Sequence, residues 1–322
     1  MKSLVLTEPG KLEVVVNEEK DVPHDQVKVR IARASVTSSD LSAYKGKSNF
    51  YPIMPSRIAM GLVSESSDFT LKTGQRVMLS PYRKSGGTLQ VSGVDKNGYL
   101  ADYVICPLSD VYAIPEGITD ESVVFIEDIA LAENIIEKLD VGKTQYILLN
   151  GCSSLNYIVG QLAIYYQAIP VIIDKNQELL DLAQDLGIYY TVNPNEENVF
   201  QKVKEITSGK MCDYMVLDLD SYPSAEDLLS CMREGGKLCL AGLDKKTEEL
   251  SADLAPVFIK GLEIFGLNNG DGEIETGINM IATEVVKVDK LVERIADISE
   301  APDVFATLAK EPPHALKTII KC

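Results

Sequence analysis

The sequence predicts an α/β protein of two domains, and three observations carry that reading. Its 322 residues exceed what one hydrophobic core usually organises. Up to about residue 115 the apolar side chains recur at every second position in short runs such as VKVRIARA and QRVMLS, interrupted by Gly, Pro, Ser and Asn, the pattern of an antiparallel β domain. From Asp120 onward the period lengthens to that of a helix, and strands alternate with helices over short loops.

Taken in order, the opening MKSLVLTEPGKLEVVV alternates as a strand does and lacks the charged leader and apolar core of a signal segment. Helices are expected to be sparse before residue 120. Beyond it come a helix, a buried strand at 146–150, a turn and a second helix. The alternation continues with strand 171–174, helix 177–186, strand 190–192, helix 199–207, strand 214–219, helix 225–233 and strand 237–241. Apolar strands separated by helices imply a parallel sheet covered on both faces, a doubly wound fold. The run LEIFGL at 262–267 reads either as an edge strand open to pairing or as an ordinary covered strand. The tail from about Asn268 holds one or two helices and a final strand, 316–321, that can return to the first domain.

Charge narrows the function. With 48 acidic and 31 basic residues, a net charge of −17 and a pI near 4.6, the surface repels phosphate backbones and anionic headgroups. Neither nucleic acid nor membrane is an expected partner, and no run of 18 apolar residues spans a bilayer. A cytoplasmic enzyme or binding protein fits best. The six cysteines are scattered without a C-x-x-C pair, several in apolar runs, and read as reduced buried thiols. His24 and His314 are the only histidines, and neither is assigned a role.

The segment LLNGCSSLNYIVGQLAIYY follows a strand and opens a helix, which is where a dinucleotide fingerprint belongs. Gly151 matches the first glycine of G-x-G-x-x-G, whereas Ser153 and Asn156 replace the second and third. A side chain at the second position hinders close approach to a pyrophosphate, and one at the third crowds helix against strand. Asp174 ends the next strand about 20 residues on, where a carboxylate accepts hydrogen bonds from ribose hydroxyls and repels a 2′-phosphate. That favours NAD over NADP; the other reading of Asp174 is a cap of the helix that follows.

Six motifs in register extend the comparison from end to end: ARASVTSSDLSAYKG, YPIMPSRIAMGLV, TGQRV, NGYLADYVICP, FIEDIALA and MREGGKLCLAGL. In that order they resemble the N-terminal active-site segment, the G-H-E segment, the G-D-R-V turn, the G-x-x-A-E-Y-V strand, the entry to the cofactor domain and the last Rossmann loop of the medium-chain dehydrogenase/reductase (zinc-type alcohol dehydrogenase) superfamily. The resemblance implies a GroES-like β domain formed by residues 1–127 and 267–322, a Rossmann dinucleotide-binding domain at 128–266, and an active site in the cleft between them. It places Ala241 and Gly242 near the nicotinamide end. It also implies a homodimer or homotetramer joined through Rossmann edge strands, with 262–267 the candidate edge.

The family's metal ligands are missing. Thr37 stands at the position of the active-site cysteine, Arg57 and Ile58 replace the His and Glu of G-H-E, and only Glu127 keeps a ligating group. The structural zinc lobe falls between Ser80 and Gly98, which contain no cysteine. No zinc is therefore expected. Zinc-free relatives such as quinone and enal reductases transfer hydride using hydrogen-bond donors in place of a Lewis acid. Thr37, Ser39 and Tyr44 are the candidate donor set or proton relay, against the alternative that Thr37 and Ser39 cap the turn before Leu41. Asp40, shared by zinc-type and zinc-free patterns, reads as a structural tie. Arg57 and Glu127 are expected to pair across the old metal position, unless Arg57 turns into the cleft or to solvent. Two functions stand: a zinc-independent NAD(H)-dependent oxidoreductase acting on a small alcohol, carbonyl or activated alkene, or an inactive relative serving as a dinucleotide-binding or regulatory protein.

Overall fold

The computed structural model describes residues 1–18, 21–48, 51–218, 228–242, 254–310 and 316–322. The chain divides into two compact units. One comprises Met1–Glu127, Leu291–Pro312 and Lys317–Cys322; the other comprises Asp128–Lys290 and Pro313–Leu316.

The first unit is built around the strand Gln26–Val36. Its alternating Val27, Val29 and Ile31 are all buried, as the two-residue period demands. Eleven residues are long enough to serve three partners. Ala59–Ser66 takes one edge, while Tyr103–Pro107 lies against residues 26–30 and Lys317–Lys321 against residues 33–36, all antiparallel. Arg76–Leu79 and Val111–Ala113 extend the sheet beyond Ala59–Ser66. Gly61 is required here, because a Cβ would stand 2.4 Å from the Arg30 carbonyl oxygen on the neighbouring strand. The final strand thus returns to the first unit as anticipated. It also pairs in parallel with Val292–Asp297, a strand that the sequence reading passed over because VERIAD is largely charged and exposed. The connection between these two carries the helix Ala301–Leu308, whose Phe305 packs into the same core as Leu6, Val29 and Val63.

The second unit holds a six-stranded, wholly parallel sheet in the order Tyr190–Val192, Ile169–Ile173, Tyr146–Asn150, Cys212–Asp218, Met232–Ala241, Glu263–Leu267. This is the doubly wound order, reversing direction between Tyr146–Asn150 and Cys212–Asp218, and ligands in such sheets bind at the carboxyl ends beside that reversal. Ser154–Tyr165, Gln177–Asp185 and Val199–Ile206 are the crossover helices. Glu263–Leu267 pairs with one strand only and forms an edge among the described residues.

Two expectations need correction. The helix foreseen at 225–233 is, over its described part, a single 3-10 turn at Leu228–Cys231; the strand already begins at Met232, which pairs with Cys212. Residues 225–227 lie outside the described residues. The stretch 267–290, assigned to the first domain, packs with the second unit, and the return comes at Leu291. Side chains hold it there: Gln161 bonds both the N–H and the carbonyl of Lys287, Asn134 donates to the Asn269 carbonyl, and Gly270 sits so close to Ala130 that a Cβ would clash. All six cysteines are free, five of them buried. Among the described residues no helix is long and apolar enough to cross a membrane.

Candidate active site and dinucleotide turn

Thr37 follows the strand Gln26–Val36 and caps the short helix Ser38–Ser42. With Asp40 it forms a reciprocal capping box, the Thr37 N–H donating to Asp40 Oδ2 at 2.9 Å. The Thr37 hydroxyl donates to the same Oδ2 at 2.8 Å and lies 3.0 Å from Ser39 Oγ. A threonine hydroxyl carries one hydrogen, so the Ser39 hydroxyl must donate to Thr37. The result is a directed chain, Ser39 to Thr37 to Asp40, ending on a carboxylate with no exposed surface.

Asp40 also accepts the Ser56 N–H at 2.8 Å. Burial pushes its carboxyl up to about 6, with the hydrogen bonds from Ser56 and Thr37 and the charge of Arg57 pulling the other way. Ser56 stands where the G-H-E motif has glycine and keeps the left-handed backbone, with φ of 76°. Sequence reasoning gave Asp40 a structural role only; the hydroxyl chain ending on it emerges from the fold.

Arg57 and Glu127 meet. Arg57 donates to Glu127 Oε1 from Nε at 2.9 Å and from Nη2 at 2.5 Å, with the two side chains 1% and 0% exposed. The Tyr82 hydroxyl donates to the same oxygen at 2.9 Å, while Glu127 Oε2 accepts no hydrogen bond. Burial pulls Arg57 down, but the Glu127 carboxylate and the Tyr82 phenol more than offset it, so the guanidinium is held above its ordinary value. Tyr82 was missed: it opens the strand Tyr82–Ser85 just after the TGQRV turn, and no motif marks it. Tyr44 is not gathered into this site. Its ring packs on Phe305 at 5.9 Å and joins the core, because that face of the turn is apolar.

A zinc ion does not fit this donor set. The one carboxylate is already neutralised by a guanidinium, Thr37 is committed to its cap, and Ile58 is buried with the apolar core. Among the described residues no three His, Cys, Asp or Glu side chains converge. The span of the structural lobe holds a small hairpin, Tyr82–Ser85 with Thr88–Val91, near which Arg83 and Lys96 both pair with buried Asp110.

In the second unit the turn after Tyr146–Asn150 carries Gly151 with φ of 84°. Ser153 is the N-cap of Ser154–Tyr165, its hydroxyl accepting from the Asn156 N–H at 3.1 Å and donating to Asp218. Asn156 does not push the helix away. Its amide donates to the carbonyls of Asn150 and Gly151 at 2.8 and 2.9 Å, tying helix to strand, and its buried Oδ1 has no partner. Asp174 Oδ2 accepts the Cys152 N–H at 2.7 Å, and Oδ1 accepts the Asn176 N–H at 2.8 Å; the helix cap itself is Asn176. Each carboxylate oxygen retains a lone pair for a ribose hydroxyl, so the adenosine side fits a dinucleotide. At the pyrophosphate side Ser153 stands where the fingerprint has its second glycine. Ala241 ends its strand level with Asp218, and Gly242 follows at the carboxyl edge of the sheet.

Profiles of two families match the chain: "Alcohol dehydrogenase GroES-like domain" over residues 23–116 and "Zinc-binding dehydrogenase" over residues 157–303. The chain belongs to the medium-chain dehydrogenase/reductase superfamily. Among its relatives in that superfamily, an uncharacterised zinc-type alcohol dehydrogenase-like protein of Haemophilus influenzae is 25% identical, over 98% of this chain and 97% of its own. A solved Escherichia coli protein described as a short chain alcohol dehydrogenase, complexed with NADH, superposes with a TM-score of 0.88 at 20% identity, covering 100% and 99% of the two chains. A zinc-binding dehydrogenase of Sinorhizobium meliloti bound to NADP gives 0.87 at 18% identity, with 100% and 99% covered. This medium-chain dehydrogenase/reductase therefore has the GroES-like and Rossmann folds of alcohol dehydrogenase-like oxidoreductases. It departs from the zinc-type pattern at Thr37, Arg57 and Ile58.

Proposed function

We propose that the protein is a zinc-independent, NAD(H)-dependent oxidoreductase acting on a small alcohol or carbonyl compound or an activated alkene. The observation that carries the reading is the buried Arg57–Glu127 pair, in which a permanently charged cation stands at a sequence position where the resemblance expects a metal ligand. Bound nicotinamide would supply or take the hydride. Protein groups then manage the proton. Ser39 Oγ, whose own hydrogen is committed to Thr37, is left as an acceptor for a substrate hydroxyl; its proton passes to Thr37 and on to Asp40. In the reverse sense the chain returns a proton to a developing alkoxide. Arg57 and Tyr82 both donate to Glu127 Oε1 and so hold that carboxylate in place.

For the cofactor, Asp174 supports NAD(H), its charge opposing a 2′-phosphate; relatives bind either nicotinamide dinucleotide, NADH in one case and NADP in the other. Gly151, Ser153 and Asn156 would lie along the pyrophosphate, and Ala241 and Gly242 toward the nicotinamide. We further expect a cytoplasmic homodimer or homotetramer. The edge strand Glu263–Leu267 supports this, beside a helix, Ala255–Lys260, whose Phe258 and Ile259 are 90% and 74% exposed.

The test is turnover of a panel of small alcohols, aldehydes, ketones and enones with NAD(H), after dialysis against a chelator. Activity that appears only on adding zinc would overturn the metal-free mechanism. Failure to bind either NADH or NADPH would leave the regulatory reading in its place.

A further inference from the structure

An open cavity of about 590 Å³ lies wholly within the first unit and is not lined by Thr37, Ser39, Arg57 or Glu127. Its walls are of two kinds. Val5, Val15, Met54, Tyr103 and Ile105 give it an apolar body, while Arg83, Lys96 and Asn97 bring donors to it.

The donors are poorly compensated. Arg83 and Lys96 share one oxygen, Oδ2 of Asp110, the lysine at 3.4 Å. Two cations against one carboxylate leave this group with excess positive charge, on side chains only 33% and 16% exposed, and Lys2 and the N-terminal ammonium of Met1 line the same cavity. Burial pulls Lys96 below its ordinary value, and Asp110 restores only part of the loss. Arg83 Nη1 and Asn97 Nδ2 make no hydrogen bond among the described residues, the Asn97 carbonyl oxygen being used by the Met54 N–H. A half-buried wall that offers N–H donors and excess positive charge is set for an anion. This is notable in a chain whose net charge is −17.

We propose that this cavity is a second binding site, for a small organic monocarboxylate with an apolar body. The carboxylate takes the net charge of Arg83, Lys96 and Asp110, and the body covers Val5, Val15 and Ile105. A single negative charge balances the half-buried group of Arg83, Lys96 and Asp110, whereas a phosphate ester brings nearly two.

The test is calorimetric titration of the intact protein with phenylpropionate, the neutral phenylpropanol and phenyl phosphate. Phenylpropionate should saturate one site and bind at least about tenfold more tightly than the alcohol. Lys96→Met and Val15→Trp should each weaken it about tenfold, one by removing the cation and the other by filling the body of the cavity. Lys96→Met leaves Asp110 paired with Arg83, and melting curves check that both variants are folded. The comparison of the three ligands on the unmodified protein does not depend on either variant. Absence of saturable binding, equal binding of the alcohol, tighter binding of phenyl phosphate, or affinity unchanged in both variants would overturn the assignment.

Discussion

Arg57 Nη2 lies 2.5 Å from Glu127 Oε1, and neither side chain reaches solvent. A buried pair of this kind costs more to break than it contributes, since the surviving partner is left as an uncompensated charge.

Glu127→Gln should therefore destabilise the protein by about 3–5 kcal/mol, read from urea unfolding. Replacing both partners with apolar residues, Arg57→Met with Glu127→Leu, should cost much less than the single change. A Glu127→Gln loss below about 1 kcal/mol would mean that water screens the pair.

The same pair predicts the metal content. Purified protein dialysed against a weak chelator should contain no stoichiometric zinc by elemental analysis, because the guanidinium repels a dication and Thr37 replaces a thiolate. One zinc per chain would sink the metal-free reading.

Asp40 predicts a pH dependence. Folded Asp40 titrates near 6, above its ordinary 3.8, so between those values the folded state holds a proton that the unfolded chain has released. Its contribution to stability is full below about pH 4 and is lost as pH rises through 6, a change of about 3 kcal/mol. Asp40→Asn stays neutral throughout and should remove that fall. Urea unfolding at several pH values across the window, in both proteins, measures the difference in slope; equal slopes would contradict it.

Ser39→Ala removes the entry to the hydroxyl chain without touching the Thr37 cap. Turnover should fall about a hundredfold with KM and stability little changed. Thr37→Ala should lower both turnover and stability, the latter by about 1 kcal/mol, and Thr37→Ser should restore both. A Ser39→Ala protein of full activity would remove the chain from the mechanism.

Asp174→Ala should weaken NADH binding by about 1–3 kcal/mol, measured by fluorescence titration. It should also loosen the Gly151 turn, since Asp174 holds the Cys152 N–H. The unmodified protein should bind NADH more tightly than NADPH; the opposite order would refute the ribose assignment.

Period and motif settled the architecture from residues alone. The two-residue alternation before residue 115 and the helix-and-strand alternation after 120 are local signals, each set by which side chains one element must bury. For that reason the succession of the Rossmann strands along the chain, the turn at Gly151 and the missing thiolate and imidazole ligands could all be read without coordinates, whereas the order of the strands in the sheet could not. Boundaries that depend on distant partners could not. Whether 267–290 joins the second unit is decided by Gln161 and Asn134, more than a hundred residues away along the chain. The site divides in the same way. Arg57 and Glu127 were legible because each falls on a motif position. Tyr82, the accommodation of Asn156 by two backbone carbonyls and the direction of the Ser39–Thr37–Asp40 chain were not. A hydrogen bond needs two atoms at a set distance and angle, and only tertiary packing determines which buried donor finds which acceptor.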